Sequence, residues 1–178
     1  MAITNRDFDV AVRVLSGGTN EVIYNDVGLP SIMVRKDKKQ KSEVISGASA
    51  GAHPAFIVDG AEVPSFYMSK FLNIVYKGRA YSLPMQDPTA SSVATEDRGA
   101  ALSNSVNFDN CKIWCEANGP GFHMPTIAEY AFIAQESRNR GTMPRGNNSY
   151  GKDHSAQWEK GIPTYIDGSG NICRVATG

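Results

Sequence analysis

Two dipeptides set the architecture of the middle of this chain. Asp59-Gly60 and Lys77-Gly78 each sit between short apolar or aromatic runs. A two-residue turn of this kind joins antiparallel strands whose twist it matches. Phe56-Ile57-Val58 and Ala61-Glu62-Val63 flank the first turn. Phe66 to Val75 and Arg79 to Leu83 flank the second, with Tyr76 and Tyr81 supplying the aromatic residues that strands favour. The 17 glycines among 178 residues extend the same point, because many turns imply short strands and long loops rather than a helical bundle.

Two helices are expected after this sheet portion. In the first, Phe108, Cys111 and Cys115 fall on one face beside Trp114, which predicts that both thiols lie in the core, with Asn110 and Lys112 pointing outward. Asn118-Gly119-Pro120-Gly121 ends it. The second helix begins at Thr126, which forms a capping box with Glu129. Ile127, Tyr130, Ala131 and Ala134 give its apolar stripe, and Gly141 closes it after Arg138 and Arg140. Later, Tyr165-Ile166 and Asn171-Ile172-Cys173 pair as a last hairpin.

The first 50 residues have a different texture. Val10, Val12 and Val14 alternate with Ala11 and Arg13, the period of a half-buried strand, and Ile32-Met33-Val34 is a second strand candidate. Lys36 to Ala52 is charged at first, then small and polar, and reads as a loop or linker. These textures divide the chain into 1–50, an amino-terminal β-rich attachment or oligomerisation region with its linker, and 51–178, the main domain.

Charge narrows the function classes. Eighteen basic and 18 acidic residues cancel, so the chain lacks the electrostatic footprint of a nucleic-acid binder. The basic run Arg35 to Lys41 has no interleaved aromatic residue and reads as a solvated loop rather than a phosphate contact. No stretch approaches the roughly 20 apolar residues of a membrane span. A polar start and three cysteines, Cys111, Cys115 and Cys173, fit folding in a cytosol without a disulfide framework.

Candidate chemistry is sparse. Cys111 and Cys115 are four apart, but His53, His123 and His154 show no metal-ligand spacing with them. His123 has the chemistry of a general base, yet no nucleophile or carboxylate partner can be named for it. Asp87, Asp97 and Asp109 are too scattered for a calcium loop. Gly141 to Gly151 lacks the strand-loop-helix context of a phosphate loop. Trp158 and Tyr165 are candidates to stack on a sugar ring or to anchor loops. No catalytic, cofactor-binding or metal residue is assigned.

Several segments resemble the phage and prophage tail branch of the formylglycine-generating-enzyme (sulfatase-modifying factor) family. They are Leu29 to Arg35, His53 to Gly60, Tyr67 to Phe71, Gly78 to Pro84, Gly119 to Tyr130 and Gly141 to Asn148. The resemblance implies an α+β, C-type-lectin-like module of short antiparallel strands with two helices and long loops, preceded by the small β-rich amino-terminal region. It also implies that this is the amino-terminal half of the module, with 51–178 incomplete at its carboxyl end. The family's catalytic cysteines belong to the other half, so no functional residue is carried over. The function that the resemblance leads one to expect is that of a non-catalytic virion protein of the tail fibre or baseplate, assembled in the bacterial cytoplasm. Its partners would be itself (a homo-oligomer, with the trimer usual among such tail proteins), other virion or tail proteins, and a host-surface receptor, protein or glycan. No nucleic acid, membrane insertion or cofactor is expected. The alternatives are a structural adaptor or decoration protein, or a fragment of a formylglycine-generating-type oxidase.

Overall fold

A computed structural model describes residues 5–71, 73–84 and 107–141, together with the backbone of two short strands at 165–166 and 172–173. The elements run α1 (Asn5–Leu15), β1 (Asn20–Tyr24), β2 (Pro30–Asp37), α2 (Lys41–Val44), a 3-10 turn (Pro54–Phe56), β3 (Ile57–Val58), β4 (Ala61–Glu62) and β5 (Ser65–Ser69). They continue with β6 (Ile74–Tyr76), β7 (Arg79–Tyr81), α3 (Phe108–Glu116), α4 (Ile127–Asn139), β8 (Tyr165–Ile166) and β9 (Ile172–Cys173). This is an α+β arrangement of short antiparallel strands in small sheets with a few helices.

The amino-terminal segment differs from expectation. The valines at 10, 12 and 14 belong to helix α1, not to a strand. Alternation over so few residues also fits a helix, because Phe8 and Val12 fall four apart and Asp7 and Arg13 suit the two ends of the dipole. Polar contacts seat α1 on β1. The Tyr24 hydroxyl donates to Asp9 Oδ1 at 3.0 Å, and Arg13 pairs with Glu21 at 3.0 Å.

The main sheet has the order β1-β2-β5, both pairings antiparallel. It therefore takes strands from both sides of residue 50. The stretch 36–52, expected as a loop or linker, instead supplies the end of β2 and all of α2, whose Val44 is buried. Phe66 to Val75, expected as one strand, divides between two sheets: β5 pairs with β2, while β6 pairs with β7. Both predicted turns form. Asp59 and Gly60 have φ of 49° and 80°, and Lys77 and Gly78 have 49° and 69°, the left-handed values that the tight hairpin needs. The last hairpin also forms, with Tyr165 opposite Cys173 and Ile166 opposite Ile172.

The core gathers where α4 packs against the 3-10 turn, α2 and Phe66 of β5. Val44, Ala55, Phe56, Phe66, Phe132 and Ile133 form one buried cluster, with Val63 and Met68 against it. Its centre is aromatic. Phe132 meets Phe56 edge-on at 4.9 Å and Phe66 at 5.8 Å between ring centroids.

A buried amide joins the remaining pieces. Asn118, past the end of α3, donates from Nδ2 to the Ala80 carbonyl of β7 at 2.7 Å. Its Oδ1 accepts from Asn25 Nδ2 at 2.8 Å, and the Asn25 Oδ1 in turn accepts from the backbone N–H groups of Val27 and Leu29. One side chain thus ties α3, the β6-β7 hairpin and the β1-β2 turn. Asn118→Ala is expected to lower stability by about 1–3 kcal/mol, since the partner groups are left buried and unpaired. Urea denaturation of the variant checks this, and an unchanged midpoint would mean that the amide stabilises nothing.

Candidate functional site

The strongest concentration of charge lies between β2 and α4. Along β2, Ile32, Val34 and Lys36 alternate inward, so the strand period carries a lysine into the position after two core residues. On α4 the buried face is Glu129, Phe132, Ile133, Glu136 and Ser137, a helical spacing that brings Glu136 one turn beyond Phe132. Lys36 Nζ lies 3.1 Å from Glu136 Oε2, with both side chains at most 10% exposed. Lys39 Nζ reaches Glu136 Oε1 at 2.6 Å, and Arg140 reaches Oε2 at 2.9 Å from the next turn of the helix. One buried carboxylate therefore holds three cations.

Burial alone would push the Glu136 carboxyl up. The hydrogen bonds and charges of Lys39 and Lys36 outweigh it and hold the group below the ordinary carboxylate range. Such a carboxylate is a poor proton acceptor, because both oxygens already face cations. Beside it lies a cavity of about 100 Å³ lined by Lys39, Glu43, Val44, Glu136, Asn139 and Arg140. Asn139 closes one wall by donating to the Val44 carbonyl at 2.8 Å. The space suits a few waters, and its lining carries two positive and two negative groups.

This arrangement corrects the reading of residues 35–41 as a solvated loop. Arg35 and Lys36 are in β2, and each cation of the run has a partner. Arg35 pairs with Asp37, Lys38 with Glu62, and Lys41 donates to Ser49 Oγ. The apolar stripe expected on α4 is corrected too. Ile127 is 91% and Tyr130 65% exposed, Ala131 is exposed and Ala134 is half-buried. Burying the opposite face puts Phe132 and Ile133 into the core and gives both carboxylates partners, which the hydrophobic pattern alone could not register.

The capping box forms as expected: Thr126 Oγ1 accepts from Glu129 N, and Glu129 Oε2 accepts from Thr126 N at 2.7 Å. The same carboxylate supplies the partner that sequence reasoning did not find for His123, whose Nε2 lies 3.6 Å from Glu129 Oε1. The spacing held the signal, since a capping-box glutamate folds back over the residues before the helix. The other ring nitrogen, Nδ1, is 2.7 Å from the Met124 carbonyl. Both nitrogens are thus engaged, and no serine, threonine or cysteine nucleophile hydrogen-bonds to the ring in the described structure.

The two cysteines of α3 are half-buried rather than in the core, while Phe108 and Ile113 are 68% and 59% exposed. Helix α3 packs on β7 at a shallow contact and buries none of its residues fully, so its apolar stripe is only partly covered. Lys112 is exposed as expected, but Asn110 is half-buried. Burial pushes the Cys115 thiol up, and the neighbouring Cys111 and Glu116 add to the shift, so it is a weak nucleophile. Asp109 is exposed in the first turn of α3. Asp87, Asp97, His154, Trp158 and the glycine-rich stretch after Gly141 lie outside the described residues, as do the side chains of Tyr165 and Cys173. Among the described residues, no three histidine, cysteine, aspartate or glutamate side chains come together as a metal site. No helix there is long and apolar enough to cross a membrane. No protein-family model and no curated protein matches the chain.

Proposed function

We propose that this chain is a non-catalytic component of a phage or prophage tail, which presents a C-type-lectin-like module to a host surface as part of a homo-oligomer. The tail and lectin-like parts of the reading rest on the sequence resemblance, and the observation that supports assembly is the outward face of α4. This helix turns two carboxylates inward and leaves Ile127 and Tyr130 in solvent. Phe108 and Ile113 on α3 are also exposed. Apolar and aromatic side chains in such positions favour a protein neighbour, whether another copy or a second virion protein. The commitment of Lys36, Glu136, Glu129 and His123 to one another and to backbone groups supports binding rather than turnover. Weak contacts from each copy to a receptor would be multiplied by display on one particle, by roughly 100- to 10,000-fold.

Light scattering at micromolar concentration, paired with binding of labelled protein to candidate host cells, tests this. The expected result is an assembly larger than a monomer that binds cells. Ile127→Glu with Tyr130→Glu is expected to weaken assembly at least tenfold, as a charge buried at an interface without a partner must, and to reduce cell binding with it. A monomeric wild type would sink the homo-oligomer. An oligomer that binds no host cell would favour the adaptor or decoration reading.

A further inference from the structure

We infer that His53 is an acid-operated latch for the segment 40–52, holding it closed while the ring is neutral and releasing it when the ring takes a proton. The geometry dictates the neutral form. His53 Nδ1 accepts the backbone N–H of Ala55 at 3.2 Å and so caps the 3-10 turn Pro54–Phe56. An accepting Nδ1 carries no proton, which places the ring's one hydrogen on Nε2. The residue is 4% exposed, and its ring meets Phe132 edge-on at 5.2 Å. Protonation would turn the cap acceptor into a second donor facing the Ala55 N–H, and would bury a cation against the aromatic cluster.

The charged surroundings do not relieve that cation. From α2, Lys41 is the charge felt by the ring, and it repels. From α4, Glu136 is already held by Lys36, Lys39 and Arg140, and Glu129 by Thr126. From β5, Phe66 faces the same cluster, while Tyr67 donates to Glu21 elsewhere. Past the end of β2, Lys39 meets His53 through its backbone carbonyl, which accepts the His53 N–H at 2.9 Å. Glu43 is turned back to the Gln40 N–H.

Release is expected to be local. Three bonds from Lys39 and Lys41 close the segment beside His53: His53 N to Lys39 O, Lys41 N to Gly51 O, and Lys41 Nζ to Ser49 Oγ. Residues 45–47 and 49–51 between them are exposed, so opening uncovers chiefly Val44, at the edge of the core cluster, and Ala52. Burial lowers the His53 pKa below the ordinary value of 6.5, and Lys41 adds in the same direction. A group lowered in the closed state favours closure fully above the open-state pKa. The closed-to-open ratio then falls below pH 6.5, by up to about tenfold per pH unit, until the closed-state pKa is passed.

Amide hydrogen exchange of the full chain at pH 7.5, 6 and 5, corrected for intrinsic rates, tests the latch. Residues 40–52 should lose protection by up to about tenfold per unit below pH 6.5, while Phe132 and Ile133 keep theirs. His53→Asn retains a side-chain oxygen to cap the turn but does not titrate, and its profile should be flat over the same range. Parallel loss in wild type and variant would overturn the proposal, as would a loss spread evenly over the chain. Should the variant not fold, imidazole nitrogen shifts of the wild type decide. His53 must be the Nε2-protonated tautomer at pH 7.5 and must titrate together with the loss of protection, and a different tautomer or an uncoupled titration refutes the latch.

Discussion

Phe132→Ala is expected to lower the free energy of unfolding by about 3–5 kcal/mol. The ring is fully buried and contacts Phe56, Phe66 and His53 at once. Its removal costs the transfer of the ring and leaves a cavity that three rigid neighbours cannot fill. A urea titration reads the effect as a fall in midpoint with little change in slope. Ile127→Ala, five residues earlier on the same helix, is the control. That side chain is in solvent, and its loss should move stability by less than about 0.5 kcal/mol. Equal effects at the two positions would mean that α4 is rotated from the orientation described, with the expected stripe Ile127, Tyr130, Ala131 and Ala134 buried after all.

A loss of similar size, about 3–5 kcal/mol, is expected for Glu136→Ala, for a different reason. Most of the penalty comes from Lys36, which would stay buried without a counter-charge; Lys39 and Arg140 are exposed enough to turn to water. The double variant Lys36→Met with Glu136→Leu removes both buried charges. It should recover most of the loss, because an apolar pair of similar volume is often as stable as a buried ion pair. A double variant no better than the single one would contradict this account. The wild-type carboxyl has a folded pKa below its ordinary value of 4.5. Its stabilisation is therefore complete above about pH 4.5 and is lost as pH falls through the folded pKa. Stability measured from pH 7 to pH 3 should show this step well below the window of His53.

Local signals were legible where the chemistry is local. Thr126 and Glu129 needed only their spacing to announce the start of α4. Asp59-Gly60 announced its turn because few other dipeptides tolerate two left-handed residues; at the second turn Gly78 gave the signal, while Lys77 takes a positive φ that its side chain does not favour. The late hairpin at 165–166 and 172–173 came from the same kind of reading. The α+β character came with them, while the lectin-like assignment rests on the resemblance alone.

What escaped was decided by partners distant in sequence. Lys36 reads as solvent-facing until β2 meets α4, and only then does Glu136, far along the chain, make its burial tolerable. The same pairing reversed the buried face of α4, since a pattern of apolar residues cannot announce that two glutamates go inside. Val10, Val12 and Val14 were ambiguous for a simpler reason: too few residues separate a period of two from one of 3.6. The His123–Glu129 contact was within reach, because the capping glutamate already pointed back toward that histidine.

The position of β2 in the middle of its sheet has a consequence for how the chain is made. The β1-β2 hairpin can close once synthesis passes Asp37, but β5 does not exist until Ser69 has emerged. In the interval β2 is an open edge, with unpaired backbone groups that would accept a strand from any neighbouring nascent chain. The three charged residues at its end, Arg35, Lys36 and Asp37, lie along that edge. Before β5 and α4 arrive they are fully hydrated and costly to bury, so they discourage improper pairing. Once Glu136 is in place the same lysine becomes part of the interior. Lys36 thus guards the unfinished sheet first and fastens the finished one afterwards.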